Sequence, residues 1–250
     1  MTSYDFDYEL PRKARRFIER RKRRRQERRA KGFIFRDGND SGAYYYDLAT
    51  RHPAGARVKR AFDVIGSTAL ITLLVPLLLL IMILIKATSR GPAVFKQRRI
   101  GFRANEFEIY KFRTMYDGSD KAVTPMDSAG TPFVKPKNDA RVTAVGRYLR
   151  KYSLDELPQL FNVLEGSMSL VGPRPLRECD LARLPRRIMV RRFATPPGIT
   201  GLWQVSGRSN LVGTRALQLD REYVDRWSLG LDLQILLRTF RAVIAGRDAV

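Results

Sequence analysis

The stretch "VIGSTALITLLVPLLLLIMILI", residues 64–85, carries no charged side chain over 22 positions. As a helix it would measure about 33 Å at 1.5 Å per residue, close to the hydrocarbon thickness of a bilayer. It starts too far into the chain for a secretory leader and has no small-residue cleavage site before the next element. A helix buried in a water-soluble core normally keeps a polar stripe, and this run has none. It reads as a membrane segment. Arg57, Lys59 and Arg60 precede it, and Lys86, Arg90, Lys96, Arg98 and Arg99 follow. Because both flanks are basic, the positive-inside bias keeps both on the cytoplasmic side. Pro76 lies near the middle, lacks an N–H and clashes with the preceding turn, so it can bend the helix. Two arrangements fit: an ordinary span with a mild kink, or a proline-broken helix that enters and leaves by the same face. A bend in lipid needs partners for the freed backbone groups, and Thr72 is one candidate.

Outside this run the chain is strongly basic, with a formal charge of +22 over 250 residues. Such a balance points to polyanions: nucleic acid, anionic lipid or phosphorylated substrates. Residues 1–56 hold 15 Lys/Arg against 8 Asp/Glu, a net of +7, which leaves +15 for residues 57–250. The folded part is therefore basic in its own right. Between Pro11 and Lys31, 13 of 21 residues are Lys or Arg. Too few apolar positions remain there to bury a face, so residues 1–56 are expected to be a flexible or surface-bound polybasic arm, able to become helical on an anionic lipid surface. No stacking aromatics interleave the charges of that run, which argues against specific nucleic-acid recognition. Cys179 and His52 are the only cysteine and histidine. An intrachain disulfide and a Cys/His zinc site are excluded, and Ser–His or Cys–His hydrolase machinery is disfavoured. A working metal would be a hard cation on carboxylates and ligand phosphates, Mg²⁺ or Mn²⁺.

After the apolar run, "GPAVFKQRRIG" and "NEFEIYKFRTM" read as two strands of a hairpin turning at Gly101–Ala104. A polar, proline-containing loop follows from Asp117 to Lys137. Helical patterns cover about Ala140–Lys151, Glu156–Leu164 and Leu181–Phe193. A last helix, "LDLQILLRTFRAVIAG", places Leu233, Leu236, Leu237, Phe240 and Ile244 on one face. That face would pack in a core or lie in the membrane interface.

"KYSLDELPQLFNVLEGSMSLVGPRP", residues 151–175, places adjacent carboxylates Asp155 and Glu156 between a serine and a proline. Ser153 and Glu156 fit a capping box, and Asp155 as the cap would put Pro158 in the tolerant first turn. Either register sets Asp155 at a helix N-terminus, where free N–H groups favour a carboxylate and any phosphate beside it. Capping alone would explain the pair. The basic residues nearby sharpen the reading toward phosphate chemistry. Arg147, Arg150 and Lys151 lead into the pair, and two prolines restrict Arg174, whose planar fork suits two phosphate oxygens. Lys111 and Arg113 alternate on the second hairpin strand and would share one face. Each alone would be an ordinary solvated charge; as a set they converge on an anion.

These segments resemble a known family. "KRAFDV", "FKQRRIG", "IYKFRTM", "VGRYLRKYSLDELPQLFNVLEGSMSLVGPRP", "PPGITGLWQVSGR" and "LDREYVDRWSLGLDLQILLRT" are similar, in order and nearly without gaps, to the bacterial sugar transferases, the monotopic polyprenyl-phosphate phosphoglycosyl transferases. The similarity runs from about Arg57 to the end. It implies transfer of a phosphosugar from a UDP-sugar to polyprenyl (undecaprenyl) phosphate, with Mg²⁺ and release of UMP. The family's catalytic Asp-Glu dyad falls on Asp155 and Glu156, with Asp155 as nucleophile and metal ligand. Lys111, Arg113, Arg150, Arg174 and Arg208 are then the phosphate and nucleotide contacts, and Trp203 is a candidate to stack on a base or sugar. The resemblance also favours the re-entrant anchor, although Val75 stands where relatives place a serine before the proline.

The expected architecture is α+β: an arm at 1–56, a proline-broken re-entrant helix at 57–90, and at 91–250 a mostly helical cytoplasmic catalytic domain with a short β-hairpin. It would sit on the bacterial inner membrane and begin exopolysaccharide, capsule or glycoconjugate assembly. A homodimer is permitted but not required. The rival reading is a membrane-tethered polybasic adaptor without catalysis, which leaves the acidic pair and Arg174 unexplained.

Overall fold

The computed structural model describes residues 51–119, 139–177, 192–207 and 214–244. Residues 1–50 of the expected arm, most of the loop at 117–137, nearly all of the helix at 181–193 and Arg208 lie outside the described residues; the last residues assigned to the arm, from Pro53, are helical instead.

Helix α1 spans Pro53–Thr88, with Pro53 at the first helical position, where its missing N–H costs nothing. Helical backbone continues through Pro76, so the expected break is not a gap in the helix. Proline forfeits the bond to the Thr72 carbonyl. In so apolar a run, helix is still the conformation that satisfies the other backbone groups. Lys59, Asp63, Ser67, Leu78, Ile81 and Ile85 are buried along one face. Ile71 and Leu74 pack between them, which completes a helical spacing of three and four. On the other side Ile65, Leu73 and Ile83 are 70%, 74% and 64% exposed. An apolar face of this extent calls for lipid or a partner, and the helix is long and apolar enough to cross a membrane.

Polar bonds fasten the first half of α1 to the body. Lys59 Nζ donates to Asp232 Oδ2 at 2.6 Å and to the Val171 carbonyl at 2.9 Å. Asp63 Oδ1 accepts from Ser169 Oγ at 3.0 Å and the Leu170 N–H at 2.9 Å. Tyr223 and Trp227 also donate to Asp232, at 2.7 and 3.2 Å. His52 packs its ring against Trp227, with centroids 5.8 Å apart. The second half of α1 packs by apolar contact instead, with Leu78, Ile81 and Ile85 against Ala93, Phe112 and Leu149.

Strands β1 (Val94–Ile100) and β2 (Glu106–Phe112) form the expected antiparallel hairpin, in register from Val94 opposite Phe112 to Ile100 opposite Glu106. Helix α2 (Ala144–Lys151) follows, and its cap is Thr143, whose Oγ1 accepts the Gly146 N–H at 2.9 Å. Helix α3 (Gln159–Glu165) ends on Gly166 in the left-handed region. Strands β3 (Ser169–Val171) and β4 (Gly198–Thr200) then pair in parallel, a second small sheet that the sequence reading did not anticipate. Among the described residues after β4 are the helices α4 (Leu202–Val205), α5 (Thr214–Asp225) and α6 (Leu229–Ile244). The main core gathers Ile109, Leu160, Val163, Val171, Tyr223, Val224 and Ile235 from β2, α3, β3, α5 and α6, with Met168 from the link between α3 and β3. On α6 the buried side is Asp232 and Ile235, while Leu233, Leu237 and Phe240 face outward. Most of its apolar stripe is therefore not core.

Candidate active site

Asn162 fixes how the site is built. It is fully buried on α3; its Oδ1 accepts the Tyr110 N–H at 2.9 Å, and its Nδ2 donates to the Glu108 carbonyl at 2.7 Å. The amide thus meets β2 with one acceptor and one donor, as a neighbouring strand would, and docks α3 against that strand. One residue past Tyr110, Lys111 Nζ donates to Glu156 Oε1 at 2.6 Å.

Arg174 Nη2 donates to the same oxygen at 2.9 Å. Its backbone is held on all sides. The Gly172 N–H donates to the Thr200 carbonyl at 2.8 Å, and the Gly198 N–H to the Pro173 carbonyl at 3.0 Å. The Ile100 N–H donates to the Leu176 carbonyl at 2.9 Å, and Arg192 Nη2 to the Arg174 carbonyl at 2.5 Å. A Cβ on Gly172 would lie 2.3 Å from the Pro196 carbonyl oxygen, so only glycine lets these backbones approach so closely.

Burial pushes the Glu156 carboxyl up, but Arg174 and Lys111 together override it and hold the group well below the usual carboxylate range. Glu156 is therefore ionised. Both of its bonds fall on Oε1, and Oε2 meets no protein donor among the described residues.

Asp155 lies half-buried in a 3-10 turn, Leu154–Glu156. The capping expectation does not hold. Ser153 adopts the left-handed region at φ 55° and its side chain does not cap the turn. The Glu156 N–H bonds the Ser153 carbonyl at 3.2 Å instead. Helix α3 proper starts at Gln159, with Pro158 in the cap position. Asp155 thus precedes the helix by a turn, and proline occupies the place where its missing N–H is tolerated.

Of the other expected contacts, Arg150 Nε donates to Thr114 Oγ1 at 2.9 Å. Burial pulls the Arg150 guanidinium down, while the negative charges of Asp155 and Asp139 oppose that shift. Arg113 turns elsewhere: its Nη2 donates to the Ser89 carbonyl at 2.9 Å and to Ser89 Oγ at 2.8 Å. Arg113 lies one residue beyond β2, where strand alternation no longer fixes its direction. Its charge instead meets the carbonyl end of α1, a favourable place for a cation. Trp203 is half-buried on α4. The structure thus brings Lys111, Glu156 and Arg174 into contact, sets Arg150 in the field of Asp155, and directs Arg113 away.

Sequence reasoning missed Thr114, Asn162 and the buried Arg192–Asp220 pair, 2.9 Å apart, that braces Arg174 from behind. Burial pushes the Asp220 carboxyl up to about 6 against the pull of Arg192 and Arg174. Asn162 had a signal, a lone amide inside the apolar row "LFNVL". Among the described residues no three His, Cys, Asp or Glu side chains gather into a metal cluster.

The model of the bacterial sugar transferases matches residues 54–246. The chain belongs to the bacterial sugar transferase family. It is 41% identical over 204 residues to an exopolysaccharide production protein, ExoY, of Rhizobium meliloti, covering 79% of this chain and 90% of that one. It is 43% identical over 201 residues to an undecaprenyl-phosphate glucose phosphotransferase of Komagataeibacter xylinus, covering 76% of this chain but 36% of the relative. A UDP-glucose:undecaprenyl-phosphate glucose-1-phosphate transferase of Caulobacter vibrioides is 42% identical over 205 residues, 76% of this chain and 71% of the relative. This bacterial sugar transferase is therefore an enzyme of the phosphoglycosyl transferase type. The non-catalytic adaptor reading is set aside.

Proposed function

We propose that this sugar transferase moves a phosphosugar from a UDP-sugar to polyprenyl phosphate, undecaprenyl phosphate in the bacterial inner membrane, through a covalent intermediate on Asp155. The observation that carries this reading is the pinned, ionised Glu156 beside Asp155, with Lys111 and Arg174 on one oxygen. An Asp155 oxygen attacks the sugar-proximal phosphorus; the bond to the bridging oxygen breaks and its electron pair leaves with UMP. An oxygen of the acceptor phosphate then attacks the same phosphorus, the acyl phosphate bond breaks, and the Asp155 carboxylate returns. Two displacements replace one difficult transfer.

Glu156 is a poor proton acceptor near neutrality, because its carboxyl is held so low. Its role is to hold the Lys111 and Arg174 side chains in place. The residues present fit Mg²⁺, or Mn²⁺, through one carboxylate, Asp155, completed by ligand phosphates and water, the usual habit of a hard cation at phosphates. Such an ion would offset the repulsion between the diphosphate and Asp155.

The named activities of the relatives support the acceptor and donor classes. The anchor is proposed to be re-entrant, with both ends on the cytoplasmic face: the two halves of α1 pack on parts of one body, Asp232 and Val171 at one end and Phe112 and Leu149 at the other. Basic side chains at the headgroups would add about 1 kcal/mol each toward anionic lipid. The test is UMP release from a panel of UDP-sugars with Mg²⁺ and undecaprenyl phosphate. Asp155→Asn is expected to abolish UMP release, and intact-protein mass after donor alone to rise by one phosphosugar in the parent. Undiminished UMP release by Asp155→Asn would refute the nucleophile.

A further inference from the structure

Five cations were expected to meet phosphate around the acidic pair; Arg208 lies outside the described residues and Arg113 turns to Ser89, and the structure divides the duties of the other three. Lys111 and Arg174 already bond Glu156. Arg150 is held differently. Only its Nε is engaged, on Thr114 Oγ1 at 2.9 Å, and its two terminal nitrogens make no protein hydrogen bond among the described residues. The guanidinium therefore keeps a two-pronged donor face open, the geometry that takes two oxygens of a phosphate.

Thr114 is itself rigid. It is 7% exposed, its carbonyl accepts the Thr143 N–H at 3.0 Å, and α2 lies so close that a Cβ on Gly146 would stand 2.1 Å from that carbonyl oxygen. Gly146 and Arg150 are four residues apart, hence on one face of α2. The glycine brings the helix down on Thr114, and the arginine one turn later crosses the threonine hydroxyl. The chain then passes through the Ser153 N–H, bonded to the Arg150 carbonyl at 3.1 Å, into the turn that carries Asp155.

We propose that Thr114 is a positioning residue: its hydroxyl fixes Arg150 by Nε so that both terminal nitrogens are kept for a donor phosphate presented to Asp155. This rests on the phosphosugar-transfer reading and names the group that makes its phosphate site specific in direction. A lysine or a freely rotating arginine would supply charge without that fixed fork.

The test uses the full chain in detergent, with UDP as binding probe and UMP release from the active UDP-sugar as kinetic readout. Thr114→Val, nearly the same size, is expected to weaken UDP binding and raise KM about tenfold, the worth of one charge-assisted hydrogen bond. Thr114→Ser, which keeps the hydroxyl, is expected to stay within about twofold of the parent. In an Arg150→Ala background, Thr114→Val is expected to add no further loss of UDP affinity. Parent-like UDP binding by Thr114→Val would overturn the proposal, as would losses that simply add or a Thr114→Ser as defective as the valine variant. A parent that binds UDP yet releases UMP from no UDP-sugar would sink the transfer reading while the coupling on UDP still stands. A parent that does not bind UDP would sink both.

Discussion

Glu156 shows how a carboxylate buried beside Asp155, the proposed nucleophile, is kept charged. A carboxylate alone in this setting would be driven toward protonation. Two cations on one oxygen reverse that, and each cation is in turn held by the backbone around it. Glu156→Gln keeps the shape and removes the charge, leaving Lys111 and Arg174 part-buried without a counterion. It is expected to lower stability by on the order of 3 kcal/mol near neutrality and activity by on the order of a hundredfold. The sign with pH follows from the lowered carboxyl. Its stabilisation is fully present above the ordinary glutamate value of 4.5 and is lost as pH falls through the lower folded value. Thermal unfolding of parent and variant from pH 7.5 to 3 is therefore expected to show a gap that is widest near neutrality and closes in acid. A gap independent of pH would mean that Glu156 is not held ionised by its partners. That Lys111 and Arg174 gather at the acidic pair was legible in the sequence, because adjacent carboxylates, clustered basic residues and the prolines around Arg174 point to one charged centre. Thr114 and Asn162 were not: a neutral hydroxyl and an amide acquire a role only from what the fold sets opposite them.

At the scale of elements, legibility followed locality. The β1–β2 hairpin was readable because its strands are consecutive and joined by a short turn. The β3–β4 pair was not, since three-residue strands carry almost no period and their parallel pairing joins residues far apart in the chain. The C-terminal helix was readable as a helix but not in its facing: the apolar stripe of α6 points mostly outward, and a buried aspartate, Asp232, takes the inner side because Lys59, Tyr223 and Trp227 supply its partners. Helix α2 illustrates a constraint that no pattern announces. Gly146 sits in a helix, where glycine is ordinarily a cost, because the Thr114 carbonyl leaves no room for a methyl group. Gly146→Ala is therefore expected to destabilise the protein by about 1–3 kcal/mol, despite the better helix propensity of alanine. It would also lift Arg150 off Thr114 and raise KM for the UDP-sugar. Alanine at 146 that raises the unfolding temperature with KM unchanged would show that α2 does not bear on Thr114 this closely.

For the whole molecule, the question is how a 36-residue helix meets a membrane while remaining part of the body. From Lys59 to Ile85 the rise is about 39 Å, longer than the roughly 30 Å hydrocarbon layer. If α1 crossed that layer, the groups around Lys59 and those around Ile85 would lie on opposite sides of the membrane. Both sets belong to one continuous unit, Gly42–Val250, linked through β2, α3 and the Lys111–Glu156–Arg174 cluster. A span would drag those charges into lipid beside the helix, at several kcal/mol each. An anchor with both ends on one side leaves the cluster in water and presents only the outward face of Ile65, Leu73 and Ile83 to acyl chains. Single cysteines test this in a Cys179→Ser background, placed at Ala54 and Pro92, both exposed and flanking the apolar run; Gly55 is avoided because Trp227 packs against it. In inside-out and right-side-out vesicles, both positions are expected to react with a membrane-impermeant maleimide in the same vesicle type. Reaction of one position in each type would make α1 a true span and place Asp155 at a depth that its charged neighbours do not fit.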